Sequence, residues 1–184
     1  MRIIVGMTGG SGAIYGVALL KALQELNVET HLVVSTMGEY VLEHETGIGL
    51  EEIQSYASVF HRNDDLAAKI SSGSFKTDGM VIVPCSMKTL STVAHGGSDN
   101  LLTRAADVVL KENRRLVVLP RETPLSVIHL ENMLKLAKLG VRIMPLSPSF
   151  YHHPQSIGDI VNALVARTLD QLGIEHHLAK RWGE

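Results

Sequence analysis

The chain has 184 residues, 45% of them hydrophobic, a length that fits one domain able to bury roughly 70% of its unfolded surface. A net charge of −2 gives no basic field for nucleic acid, and the three Phe and four Tyr are not interleaved with Lys or Arg as a base-stacking platform requires. One cysteine, Cys85, excludes an internal disulfide and leaves too few thiols for a zinc or iron–sulfur cage.

Apolar β-branched runs alternate along the chain with longer segments of helical period, as βαβ units do when they feed an open parallel sheet with helices on both faces. The pattern predicts strands over 2–7, 29–35, 79–84, 115–120 and 141–145, and helices near 12–26, 36–46, 86–95, 100–113, 125–139 and 156–173. Gly140 stands where a glycine closes the helix ending at Leu139, and Pro145 and Pro148 break the chain after the last strand. Residues 47–78 are less regular, with a short helix over 50–57 and an exposed loop at Ser71-Ser72-Gly73-Ser74. Met1-Arg2 leads straight into the first strand with no signal-like stretch, and no apolar run approaches the ~20 residues of a membrane helix. The expectation is one soluble, cytoplasmic domain over 1–184. The apolar content fits buried subunit interfaces and an Ala/Leu/Val-rich core equally well.

In such a sheet ligands sit outside the carboxyl ends of the strands. Those ends read Thr8 to Gly12, then Ser35-Thr36, then Cys85-Ser86-Met87-Lys88-Thr89, then Arg121-Glu122. Met7-Thr8-Gly9-Gly10-Ser11-Gly12-Ala13 is a strand–turn–helix passage whose glycines let backbone N–H groups approach an anion at a positive helix end. It therefore predicts a phosphate-cradling turn, with a tight turn and no ligand as the plain alternative. The dinucleotide fingerprint fails twice: Tyr15 stands where the third glycine belongs, with Gly16 one place late, and the second strand ends in Ser35 rather than an acid. GxxxxGK[ST] is absent, which disfavours ATP hydrolysis. Hydroxyls with an arginine suit a terminal phosphate monoester and ribityl hydroxyls, which points to FMN. Taken singly, Ser35 and Ser86 also read as helix N-caps.

Downstream, Arg104 and Lys111 lie two helical turns apart on one face, and with Arg121-Glu122 after the next strand they could surround a phosphate. The alternative is a solvated face paired with Asp107 and Glu112. A carboxyl at Glu122 beside an anion would have its pKa raised and could exchange protons near neutral pH. The pairs His152-His153 and His176-His177 lack metal-ligand spacing and read as structural or surface residues, so no metal is expected. Cys85 reads as a buried small hydrophobe, and the sole tryptophan, Trp182, as anchored in a pocket or interface.

With these residues in view, the chain resembles the UbiX family of flavin prenyltransferases, including the small subunits of phenolic-acid decarboxylase systems. The resemblance runs nearly end to end through MTGGSGAIYG, VPCSMKTL, NLLTRAADVVLKE, LVVLPRETPLSVIHLENMLKL, FYHHPQS and the terminal RWGE. One departure is Gly10, where many members carry alanine. The resemblance implies a Rossmann-like three-layer flavoprotein, usually a dodecamer with sites between subunits and the C-terminal tail (174–184) near an interface. It implies that Gly9, Gly10, Ser11, Ser35, Ser86, Met87, Lys88, Thr89 and Arg121 contact FMN. Dimethylallyl phosphate would be held by Arg104, Lys111, Glu122, Tyr151, Arg167 and Trp182, several of them from neighbouring subunits. Ser11, Glu45, Glu122 and Lys111 would act in catalysis.

The implied reaction joins the dimethylallyl group to N5 and then C6 of reduced FMN without a metal, releases phosphate, and passes prenylated FMN to a UbiD-type decarboxylase. Loss of the C6 proton would fall to Glu122 or to the phosphate, with Ser11 as relay. The competing readings are a flavin-dependent cysteine decarboxylase, which would leave Arg104, Lys111, Glu122 and Arg167 unused, and a non-catalytic FMN-binding partner subunit.

Overall fold

A computed structural model describes residues 1–179 and residue 183. Six strands form one all-parallel sheet: β1 (Arg2–Met7), β2 (Glu29–Val34), β3 (Val59–His61), β4 (Gly79–Cys85), β5 (Arg115–Pro120) and β6 (Arg142–Ile143), in the order β3-β2-β1-β4-β5-β6. The helices are α1 (Ala13–Glu25), α2 (Thr36–Thr46), α3 (Leu50–Gln54), α4 (Met87–Ala94), α5 (Leu101–Lys111), α6 (Val127–Lys138) and α7 (Ile157–Leu172).

Strand side chains alternate between faces, so each apolar run feeds two cores at once. Ile3, Val5 and Met7 of β1, Val81 and Val83 of β4, and Val117 and Leu119 of β5 pack beneath α1 and α7. Their neighbours Ile4, Met80, Ile82, Leu116 and Val118 pack beneath α4, α5 and Leu136 of α6. This three-layer α/β arrangement matches the Rossmann-like expectation, and all five predicted strands are present. Gly140 takes φ +84 just past α6, in the left-handed region that a closing glycine supplies. The strand predicted over 141–145 shrinks to Arg142–Ile143.

β3 was not predicted. It is only three residues long, at the sheet edge, too short for a period to show, and it is tied in through His61, whose Nε2 lies 2.8 Å from Nδ1 of buried His31 on β2. Among the described residues, no helix is long and apolar enough to cross a membrane.

The strand order reverses between β1 and β4, since the chain leaves β1 toward β2 and β3 and then returns to β1's other side. Such a reversal opens a crevice at the carboxyl ends, where ligands bind in this class of sheet. The Gly-rich turn after β1 and the Ser86 turn after β4 meet there.

Candidate active site at the β1–β4 crevice

The two turns are stapled by a buried hydroxyl. The Pro84 carbonyl accepts twice from Thr8, from its N–H at 3.1 Å and from Oγ1 at 2.8 Å, while Thr8 Oγ1 accepts from the Ser86 N–H at 2.8 Å. Gly10 lies against Pro84 and Cys85 with room for a methyl, its imagined Cβ 3.4 Å from Pro84 Cβ, so the alanine of other members would fit. Gly16 performs the close helix–strand packing that the fingerprint assigns one position earlier, because a Cβ there would stand 2.8 Å from the Val83 carbonyl oxygen.

At the start of α1 the glycine turn meets a negative charge that belongs to the chain itself. Gly12 (φ +106) is the N-cap and has no side chain to cap with. Glu45 of α2 supplies the anion: its Oε2 accepts from the Gly12 and Ala13 N–H groups, each at 2.9 Å. Positive helix ends favour negative charge, and here a carboxylate of the chain provides it. Burial pushes the Glu45 carboxyl up, but the Ser11 hydroxyl, the Ala13 and Gly12 amides and the Arg121 charge together outweigh it, so its pKa lies below the usual value.

Because Ser35 N–H donates to the Met7 carbonyl at 3.0 Å while Glu45 reaches Gly12, both ends of α2 sit at the carboxyl edge. α2 therefore lies across the rim instead of running back along the sheet, and it carries Met37 and Tyr40 exposed.

Ser35 and Ser86 both serve as N-caps, accepting from Gly38 N–H at 3.0 Å and Thr89 N–H at 3.3 Å. Capping uses each oxygen as an acceptor and leaves the hydroxyl proton; that of Ser86 goes to Thr89 Oγ1 at 3.1 Å. Met87 and Lys88 lie in the first turn of α4. The Arg121 N–H reaches the Cys85 carbonyl at 3.4 Å, which ties the end of β5 to the same rim. Burial pushes the Cys85 thiol up to about 12, an inert group.

The donor-side residues divide into two sets. Arg104 pairs with Asp107 at 2.9 Å and donates to the Ser71 carbonyl at 3.2 Å; Lys111 pairs with Glu112 at 2.6 Å. Within one chain this is the solvated-face pairing. Lys111 closes α5 before β5 begins, whereas exposed Glu122 follows its end and accepts from Thr123 N–H at 3.0 Å. Six strand residues, about 17 Å, separate Lys111 from Glu122, so these two residues of one chain stand at opposite ends of β5. Tyr151 and Arg167 line a cavity of about 730 Å³ between the segment after β6 and α7. α7 covers one face of the sheet and α5 the other.

The Flavoprotein family profile matches residues 1–169. A probable UbiX-like flavin prenyltransferase of Escherichia coli O157:H7 is 56% identical over 183 residues, which cover 99% of this chain and 93% of that protein. The chain belongs to the UbiX-like flavin prenyltransferase family. A crystal structure described as a dodecameric FMN-dependent UbiX-like decarboxylase from the same organism superposes with a TM-score of 0.98 at 55% identity, covering both chains completely. AnUbiX, solved with FMN and dimethylallyl pyrophosphate, gives 0.98 at 47% identity, over 100% of this chain and 97% of that one.

Of the positions expected from this prenyltransferase family, the structure gathers Gly9, Gly10, Ser11, Ser35, Glu45, Ser86 to Thr89 and Arg121 along the carboxyl edge. Arg104 and Lys111 stand apart from Tyr151 and Arg167 on the other face. Trp182 lies outside the described residues. Sequence reasoning missed the Thr8 staple, which only the β1–β4 adjacency reveals. His176, one of the histidines read as structural or surface, is buried and bonded to Asp170 at 3.2 Å. Among the described residues no three His, Cys, Asp or Glu side chains group as metal ligands.

Proposed function

We propose that the chain transfers a dimethylallyl group from dimethylallyl phosphate to N5 and C6 of reduced FMN, and that the product serves a UbiD-type decarboxylase. The observation that carries this reading is the β1–β4 crevice, where a glycine turn, a Ser11–Glu45 pair, two hydroxyl-capped helix starts and Arg121 share one rim. The donor set fits FMN: Ser35 and Thr89 hydroxyls, the amides of Gly9 and Gly10, Lys88 and Arg121 suit a phosphate monoester and a polyol chain. With Glu45 on the α1 amides, the FMN phosphate falls to the starts of α2 and α4 and to Arg121. When bound, reduced FMN supplies the electron-rich positions that take the prenyl group.

The chain's part is electrostatic. Arg104, Lys111 and Arg167 hold phosphate as its negative charge grows on leaving, and fixed cations in place beforehand need no reorganisation at that moment. Tyr151 borders the prenyl group, and an aromatic face attracts developing positive charge. Ser11 Oγ and the Glu45 carboxylate handle a proton on the flavin side, and Glu122 serves at the donor side.

The two donor sets lie on opposite faces of the sheet, so one phosphate meets both only between copies. The exposed apolar side chains of α6, Val127 (69%), Ile128 (67%) and Leu134 (55%), with Met37 and Tyr40 of α2, are the kind of surface that association covers. A dodecamer, as in the E. coli relative, would bury them, with the 174–184 tail near an interface of a single-domain, cytoplasmic subunit.

Anaerobic incubation with reduced FMN and either dimethylallyl phosphate or the diphosphate, followed by the mass of the extracted flavin, tests the reading. A gain of one isoprene unit is expected; tightly bound FMN of unchanged mass with both donors would leave only a carrier.

A further inference from the structure

Behind Arg167 in the 730 Å³ cavity runs a chain of polar contacts whose inner members, Asp170 and His176, the reaction as described does not use. Arg167, side chain 64% exposed, donates from Nη1 to Asp170 Oδ2 at 2.6 Å. Asp170 Oδ1 faces His176 Nε2 at 3.2 Å, and His176 Nδ1 lies 3.2 Å from the Leu178 backbone nitrogen. A backbone N–H can only donate, so Nδ1 is the acceptor. The imidazole proton is thereby assigned to Nε2, which donates to Asp170. His176 side chain is 4% exposed, and Ile174 beside it is buried in the core beneath α7. The anchor is thus rigid while the arginine it steers is solvent-facing. A guanidinium has five N–H donors and Asp170 takes one, leaving the rest of the fork to the cavity.

We infer that Asp170 and His176 are positioning residues, which lock Arg167 so that its guanidinium meets the phosphate of the prenyl donor. This rests on the reading of Arg167 as a donor-phosphate residue. Unsteered, a long arginine must be ordered on each binding event, which weakens donor binding and leaves the flavin side untouched. The chain segment after α7 acquires a function through this relay: Leu178 N–H fixes the His176 tautomer, and the tautomer fixes the arginine.

Steady-state kinetics at saturating reduced FMN tests the relay. Asp170→Asn and His176→Leu should each raise the KM for dimethylallyl phosphate about three- to tenfold with kcat and FMN affinity near wild type. His176→Gln, whose amide N–H replaces Nε2–H, should restore much of the loss. The decisive readout is the cycle with Arg167→Ala: His176→Leu should add nothing once the arginine is gone, because both act through one contact. Additive effects, or unchanged KM in Asp170→Asn and His176→Leu, overturn the relay. Were Arg167→Ala alone to leave KM unchanged, the donor-phosphate reading would fall first and the relay with it. Asp170→Asn keeps the side-chain volume and stands as the test if His176→Leu does not fold.

Discussion

Ser11→Ala should bind FMN within a few-fold of wild type while its turnover falls by roughly 10²- to 10⁴-fold, the range for removing a group that passes a proton. Ser11 stands between Gly10 and Gly12, and its hydroxyl helps hold the Glu45 carboxyl below its usual pKa. Glu45 does not depend on Ser11 for its place, since Gly12 and Ala13 N–H hold Oε2 at 2.9 Å each. Removing the hydroxyl therefore leaves the turn standing and deletes only the proton path. Single-turnover rates under anaerobic conditions measure this, and wild-type turnover would remove Ser11 from the chemistry. Glu45 also sets an acid limit. Its pKa is lowered on folding from the ordinary 4.5, so its stabilising contribution is complete above that value and disappears as pH falls through the lowered one.

Gly38→Ala should destabilise the protein by about 1–3 kcal/mol, the usual cost of overpacking, and weaken FMN binding with it. Gly38 lies inside α2, where helix propensity alone favours alanine by about 1 kcal/mol. Against that, the added methyl would stand 2.6 Å from the Met7 carbonyl oxygen and 3.0 Å from its carbon, both backbone atoms at the end of β1 that cannot swing aside. The clash wins, and α2 must lift from the rim. Lifting breaks the bond from Ser35 N–H to the Met7 carbonyl and pulls Met37 from Gly9, where Met37 Cβ lies 2.7 Å from an imagined Cβ. Denaturant unfolding with a flavin titration reads both effects; an alanine variant as stable as wild type would contradict this packing.

The sheet, its parallel sense and most helix limits were legible because each strand end carries its own local signal: Ser35 and Ser86 cap the helices after β2 and β4, and Gly140 closes α6. What stayed hidden was long-range. No local pattern says that Glu45 caps a helix starting 32 residues earlier, that Thr8 bridges to Ser86, or that His176 anchors Asp170. Lys111 looked compatible with Glu122 because its spacing from Arg104 reports a shared helix face; it says nothing of which end of β5 each residue occupies. Only the topology separates them.

That separation sets the most direct measurement. Lys111→Ala and Arg167→Ala chains, each inactive alone, are co-expressed and assayed for prenyl transfer as mixed assemblies. If Lys111 and Arg167 reach one phosphate from different copies, about a quarter of the sites in a random mixture carry both residues intact, and activity returns to that level. If both residues served one site from a single chain, every site would hold a defect, and mixtures as inactive as either parent would contradict the shared site.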